Sequence, residues 1–173
     1  MNIPKPFFEP SDESEREVLS AIVSSGVNDA SGSFLSGGVV RDVKFVNKNL
    51  EGLHFEHARL ERCHFESVNL AYAELFRSDL QDCEWIRSNF VKATISKSVV
   101  SNSGFVDCNL SRMEFRSSDF KRVSFDGSDL TGASFSNCDV SDCDFTHAQM
   151  NGVYFIECKM SDEQRGMPGV VVK

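Results

Sequence analysis

The sequence SGFVD-CNLSR-MEFRS-SDFKR, residues 103–122, sets the frame for the whole chain. Each five-residue block opens on a small or apolar residue (Ser103, Cys108, Met113, Ser118) and places a large apolar residue two positions later (Phe105, Leu110, Phe115, Phe120). The other three positions are mostly polar. Followed outward in both directions, the central column is large and apolar at all 24 positions from Phe45 to Met160, with no slip of register. The column two residues earlier is Ala, Ser, Cys or Val at 21 of 24 positions, the exceptions being Lys48, Leu53 and Met113.

A period of five fits neither regular element. On a helix it rotates the side chain by about 140° per step and scatters the column around the axis. On a straight strand, odd spacing alternates faces. The backbone must therefore bend once per block, returning each central residue to one interior. Residues two apart in an extended segment share a face, so the small column points inward as well. The remaining positions suit solvent and turns.

A second period of 20 is superposed on the first. Asn49, Asn69, Asn89, Asn109, Asp129 and Gln149 form one row, and Phe45, Phe65, Trp85, Phe105, Phe125 and Phe145 form another. If residues 20 apart stack, the first row is a polar side-chain ladder and the second an aromatic stack. Arg62, Asp82, Asn102, Arg122 and Asp142 would share a row of mixed sign, and Arg59 would lie over Asp79.

All six cysteines, Cys63, Cys83, Cys108, Cys138, Cys143 and Cys158, fall in the small inward column. Chance places one residue there about one time in five, and six on the order of one time in ten thousand. They read as reduced core residues, since free cysteine packs as a small hydrophobe. No Cys/His spacing of a metal site occurs. His54, His57, His64 and His147 take outward positions, and His54 and His64, ten residues apart, face opposite sides. No phosphate-cradling loop, G-x-S-x-G or H-E-x-x-H is present, so no enzyme is expected. An interior filled with Phe and Leu leaves no ligand pocket, and no cofactor is expected.

Tandem five-residue blocks with this phrasing resemble the pentapeptide-repeat family, whose repeat is Ala-(Asp/Asn)-Leu-x-x with Phe often replacing Leu. Ser78-Asp79-Leu80, Cys108-Asn109-Leu110, Ser128-Asp129-Leu130 and Cys143-Asp144-Phe145 carry the likeness. The resemblance implies an all-β, right-handed quadrilateral β-helix over residues 41–160, with four blocks per coil and about six coils, hence a rod of about 29 Å.

Residues 1–40 read as an N-terminal arm, a capping helix and a linker. Pro4, Pro6 and Pro10 extend the arm. Ser11 or Asp12 caps a helix with Val18, Leu19, Ile22 and Val23 on one face, ending near Ser25-Gly26. The segment suits a lid over the open end of the array, or a docking arm for a partner. Leu35 and Val40 already stand in the five-residue register. Residues 161–173 read as a cap and tail: Ser161 and Gln164 have capping-box spacing, and Val170-Val171-Val172 is β-prone. With Met160 and Met167, that tail either folds back as a cap or joins two copies end to end as a homodimer, as in relatives it resembles.

A net charge of −8 argues against direct nucleic-acid or anionic-membrane binding. No apolar run reaches the roughly 18 residues of a membrane span. No basic stretch followed by an apolar core opens the chain, so a cytoplasmic protein is expected. Charge is uneven along the rod: residues 41–86 hold 6 basic and 9 acidic groups, residues 87–122 hold 7 and 3, and residues 123–160 hold 1 and 6. The acidic end comprises Asp126, Asp129, Asp139, Asp142, Asp144 and Glu157, and the basic belt includes Arg87, Lys92, Lys97, Arg112, Arg116, Lys121 and Arg122. The outward apolar residues Val46, Ile86 and Val106 share a row, and Phe76 and Ile156 another.

Quinolone-resistance and microcin-immunity proteins, which this chain resembles in the phrasing of Phe105 to Asn109 and Phe135 to Asp139, bind bacterial DNA gyrase or topoisomerase IV as acidic, DNA-shaped rods. The resemblance implies a non-catalytic, protein-binding rod whose partner is such a topoisomerase, met by the six acidic residues. The alternative is an interaction scaffold or secreted effector that binds another protein through surface patches or the N-terminal arm.

Overall fold

The computed structural model of the chain describes residues 7–9 and 28–173. The expected capping helix lies outside the described residues. From Asp29 onward the backbone winds as a parallel solenoid in which residues 20 apart are neighbours: Phe45 lies over Phe65, Leu60 over Leu80 and Phe55 over Leu75. One side, centred on Phe115, is an eight-stranded sheet running from Phe34–Ser36 to Val170–Val172. The sides centred on Phe105 and Phe120 join in an 11-stranded sheet through the long strand Asp119–Ser124, which turns from one to the other. The fourth side, centred on Leu110, is held by single-residue bridges from Asp29 through Asn49, Asn69, Asn89, Asn109 and Asp129 to Gln149.

The bend expected once per block has a specific cause. The second residue after each central residue adopts the left-handed conformation, as at Arg62 (φ 51°), Asp82 (φ 53°), Arg87 (φ 48°), Lys97 (φ 52°) and Arg112 (φ 58°). Left-handed backbone costs a non-glycine residue roughly 1–2 kcal/mol, and β-branched residues most. Accordingly the corner positions hold Gly, Asn, Asp, Ser, Arg, Lys, His, Tyr and Glu, and no Val, Ile or Thr. Asp142 is the corner that departs, with no positive φ, where the strand Asp139–Asp144 shifts register against Asp119–Ser124.

Every central residue from Leu35 to Met160 is buried, and Leu35, Phe105, Phe125 and Phe135 are each 2% exposed or less. The aromatic row stacks face to face, with ring centroids 4.5 Å apart for Phe45–Phe65, 4.6 Å for Trp85–Phe105 and 5.0 Å for Phe125–Phe145. A second stack, Phe115–Phe135–Phe155, has spacings of 4.2 and 4.8 Å and meets the first edge to face. Each such ring contributes roughly 1.5–3 kcal/mol by burial alone.

The inward small column has a polar duty. Ser88 Oγ accepts from Val68 N–H at 3.1 Å and donates to Ile86 O at 3.2 Å, and Cys108 Sγ donates to Trp85 O at 3.3 Å. Serine and cysteine thus fill the column while satisfying backbone groups of their own coil and of the coil below. Among the described residues, no buried side-chain nitrogen or oxygen lacks a partner. The amide ladder runs from Asn89 to Asn69 (3.0 Å), Asn49 (3.0 Å) and Asp29 (3.1 Å). The exception Lys48 stays in the inward column and is only 7% exposed.

The array is longer than about six coils over residues 41–160. Phe34–Ser36 pairs with His54–Glu56, and Asp29 bridges Asn49, so a first coil is built inside the stretch read as linker and the solenoid has about seven turns. Phe7–Glu9 then pairs antiparallel with Val39–Arg41, covering the open edge of that coil. At the far end the helix Asp162–Arg165 begins at Ser161 with both halves of a capping box. Gly169 (φ 81°) turns the tail so closely over the last coil that a Cβ there would meet Met150 O at 2.9 Å. Val170–Val172 pairs parallel with Val153–Phe155 and adds one more rung.

All six cysteines are free. Burial pushes the Cys108 thiol up to about 12. In the stacked pair Cys138 and Cys158, the hydrogen bond between the thiols draws Cys158 below its ordinary value and pushes Cys138 up. Cys158 is also half-buried where Cys138 is 2% exposed. Thiol labelling of the native protein should therefore modify Cys158 first, with Cys63, Cys83, Cys108 and Cys138 slower by at least about tenfold until denaturant is added. A fast phase that survives Cys158→Ser would contradict this assignment.

Candidate partner-binding surfaces

The four sides distribute the acidic residues of the C-terminal end. Asp126 and Asp144 lie on the Phe105 side, and Asp142 occupies the adjoining corner toward the Phe120 side. These three are brought to one region. Asp129 stands on the Leu110 side, Asp139 on the Phe120 side, and Glu157 at the corner between the Phe115 and Phe120 sides. The six residues therefore do not form one stripe, because successive blocks turn onto successive sides.

Several of these carboxylates have local partners. Lys159 Nζ donates to Asp139 Oδ2 at 2.8 Å, which with the Ser141 hydroxyl holds the Asp139 carboxyl down at about 2. Asp144 Oδ1 accepts from Thr146 N–H at 2.9 Å, and the Thr146 side chain and backbone lower its pKa. Asp126 Oδ1 lies 2.9 Å from His147 Nδ1. Asp129 Oδ1 accepts from Thr131 N–H at 2.9 Å. Asp142 and Glu157 are exposed.

Rows of mixed charge form as the 20-residue period requires. Arg62 grips Asp42 through two contacts of 2.6 and 2.9 Å, Arg59 reaches Asp79 at 3.2 Å, and Arg122 Nε donates to Asn102 at 2.7 Å. Within the basic belt, Arg87 pairs with Glu66, and Arg116 with Glu114. The histidines point outward beside carboxylates, His54 near Glu74 (3.2 Å) and His64 near Glu84 (3.4 Å), on opposite sides of the rod. Among the described residues, no group of three or more His, Cys, Asp or Glu could hold a metal ion. Nor is any helix there long and apolar enough to cross a membrane. The apolar row is broken by Glu66, with Val46 exposed and Ile86 and Val106 half-buried.

The tail residues have divided roles. Met160 is 8% exposed, and Met167 and Val170 pack against the core. Val171 and Val172 remain 38% and 43% exposed beside Tyr154. A cleft of about 480 Å³ opens between Ser141–Thr146 and the C-terminal helix, lined by Asp142, Cys143, Asp144, Glu163, Gln164 and Met167. Burial pushes the Cys143 thiol up to about 12, so it is protonated at neutral pH and a poor nucleophile.

A parallel solenoid with a bend every five residues and a solid apolar interior defines a class of repeat rod whose available chemistry is on its surface. The chain belongs to the pentapeptide-repeat family: the pentapeptide repeat region profile matches residues 98–164, and the pentapeptide repeats profile of eight copies matches residues 49–83. No curated protein sequence matches the chain. Among solved structures it is similar to a trypsin-treated variant of QnrB1, a plasmid-mediated fluoroquinolone resistance protein, at 20% identity over 84% of this chain and 77% of that one (TM-score 0.32). It is similar also to HetL of the cyanobacterium Nostoc sp. strain PCC 7120, involved in heterocyst differentiation regulation, at 12% identity over 94% and 92% (TM-score 0.33). A pentapeptide repeat protein from the Arabidopsis thaliana thylakoid lumen matches at 20% identity over 82% and 77% (TM-score 0.33).

Proposed function

We propose that the chain is a cytoplasmic, non-catalytic protein-binding rod that modulates or protects a bacterial type II topoisomerase, DNA gyrase or topoisomerase IV. The observation that carries this reading is the segregation of charge on a solid rod. The interior is closed by packed rings, so recognition falls to the surface, and the end from residue 123 to 160 holds 6 acidic groups against 1 basic. Asp126, Asp142 and Asp144 present carboxylates on one side and its adjoining corner, where a surface built for DNA phosphates would meet them. The exposed edge of Val170–Val172 offers a route to a two-fold homodimer, which would double the length of the acidic rod.

The test is a gyrase supercoiling assay. Purified protein at micromolar concentration should inhibit supercoiling or restore it in the presence of a quinolone. Asp126→Asn/Asp142→Asn/Asp144→Asn should weaken the effect at least about tenfold, because removing charges from a complementary pair loses steering and contact together. An inert protein, or a triple variant as active as the parent, would leave the second reading, an interaction scaffold for another protein. The specific observation favouring the scaffold is the spread of charged patches of both signs over all four sides.

A further inference from the structure

The cations of the basic belt, with Arg77 just before it, differ in their partners, Lys121 standing exposed on the Phe120 side. Arg87, Arg116 and Arg122 are engaged by Glu66, Glu114 and Asn102. On the Phe115 side and its two corners, Arg77, Lys92, Lys97 and Arg112 are exposed and make no ion pair among the described residues. Within the patch, Glu74 lies 3.2 Å from His54, and Glu114 pairs with Arg116. Three of the four cations rest on rings instead: Arg77 lies 4.9 Å and Lys97 5.4 Å from the Phe76 centroid, and Lys92 5.5 Å from that of Tyr72. A ring holds a cation in place without neutralising it. Between the two corners the middle coil is uncharged, Thr94 and Ser96 lying in register with Glu74, Phe76, Glu114 and Arg116 of the adjacent coils.

We propose that this basic–aromatic side is a docking site for a short, extended acidic segment of a partner protein. Charge complementarity selects an anion, since four exposed cations make no ion pair among the described residues. Length selects a short one. The patch covers about three coils, on the order of 10–15 Å at β-strand spacing. On this side the adjoining coils supply no further Lys or Arg: Glu56 lies beside Phe76 at one end, and Ser134 and Ser136 lie beside Glu114 and Arg116 at the other. A polyanion longer than the patch would meet no further Lys or Arg on this side. A duplex, which binds by neutralising many phosphates in a row, fits poorly here. A peptide places carboxylates over the corners and an apolar side chain over Tyr72, which is 51% exposed. The proposal rests on the chain being a protein-binding rod and is independent of the topoisomerase reading, since the residues lie on another side.

Fluorescence anisotropy with a labelled peptide of alternating Glu and Val tests it, with a labelled DNA duplex of similar charge and a Lys–Val peptide as comparisons. The full chain should bind the acidic peptide at low salt, more weakly as salt rises, in preference to both comparisons. Lys92→Glu/Lys97→Glu should weaken binding at least about tenfold. Lys121→Glu/Arg122→Glu reverses as much charge elsewhere on the rod and should change binding less than about twofold. Unchanged melting of both variants confirms that the fold is kept. Equal weakening by the two variants, preference for the duplex, salt-sensitive self-association abolished by Lys92→Glu/Lys97→Glu, or no binding at low salt would each overturn the proposal.

Discussion

Replacing Phe105 by Ala will lower the stability of the rod by about 3–5 kcal/mol, the range for deleting a fully buried aromatic ring. Phe105 is 0% exposed. Its ring sits between Trp85 at 4.6 Å and Phe125 at 5.4 Å, nearly parallel to both, and meets Phe90 edge-on at 5.5 Å. The neighbours above and below are fixed by the ladder, which pairs Trp85 with Phe105 backbone to backbone. They cannot slide inward to fill the space, so the cavity remains and most of its cost is felt. Phe105→Leu keeps a large apolar group and should cost less, about 1–1.5 kcal/mol, as for other conservative core changes. Because a solenoid is stabilised by nearest-neighbour contacts, the defect lies mid-array, where it divides the coils before it from those after it. Urea unfolding monitored by Trp85 fluorescence measures the change directly. A loss below about 1 kcal/mol for Phe105→Ala would mean that the stack is not a principal source of stability.

The interior was legible in the sequence because it obeys two periods at once. Five fixes which residues face inward, and 20 fixes which residues stack, so the Phe45-to-Phe145 row could be read from the residues alone. The Phe115–Phe135–Phe155 stack was less visible because its row begins Leu35, Phe55, Leu75 and Ile95, which mixes ring and aliphatic chain. The first coil was legible only in part, through Leu35 and Val40 in the five-residue register, for a similar reason. Ala30, the first of its four central residues, is small, and Gly37 and Gly38 (φ 77° and 79°) give that stretch the composition of a linker. The ladder that places it depends on backbone hydrogen bonds, such as Ala30 N–H to Asn49 O at 2.8 Å, which carry no side-chain signature.

The candidate surfaces were legible only as composition. Counting charge along the chain located an acidic end and a basic belt, but a side chain's side of the rod depends on position modulo 20, and its availability on what stacks above and below it. Asp139 and Asp142 are three residues apart, yet one is held by Lys159 and the other is exposed at a corner. Lys97 and Arg116 both belong to the basic belt, yet one lies over Phe76 and the other is paired with Glu114. The cations free of carboxylates emerge only from that three-dimensional pairing, which is why the basic–aromatic side could not be singled out from charge counts.

Gln164→Ala should cost about 2–4 kcal/mol, far more than a substitution in a four-residue terminal helix ordinarily does. In the body of the rod each coil's inward carbonyls are taken by the coil that follows: His64 N–H donates to Val43 O at 2.8 Å, and Glu84 N–H to Cys63 O at 2.9 Å. After the last complete coil no such backbone follows at this corner. The Gln164 side chain substitutes for it, Nε2 donating to Cys143 O at 3.0 Å and to Val140 O at 2.8 Å while only 3% exposed. Its Oε1 accepts from Ser161 N–H at 2.9 Å, so one amide closes both the helix start and the solenoid end. Truncation leaves two carbonyls without donors, each worth about 1–3 kcal/mol when buried, and removes half of the capping box. Gln164→Glu should be worse at neutral pH, because it sets an ionised carboxylate against those same carbonyl oxygens. Burial and the facing oxygens raise its folded pKa above the unfolded value of about 4.3. The penalty is then present at pH above the folded value and is relieved as pH falls through it, when the folded protein takes up the proton. Urea midpoints should therefore place Gln164→Glu below Gln164→Ala at pH about 7 and bring the two together near pH about 5. A Gln164→Ala midpoint indistinguishable from that of the exposed-site control Glu163→Ala would show that the end of the rod is closed by something other than this amide.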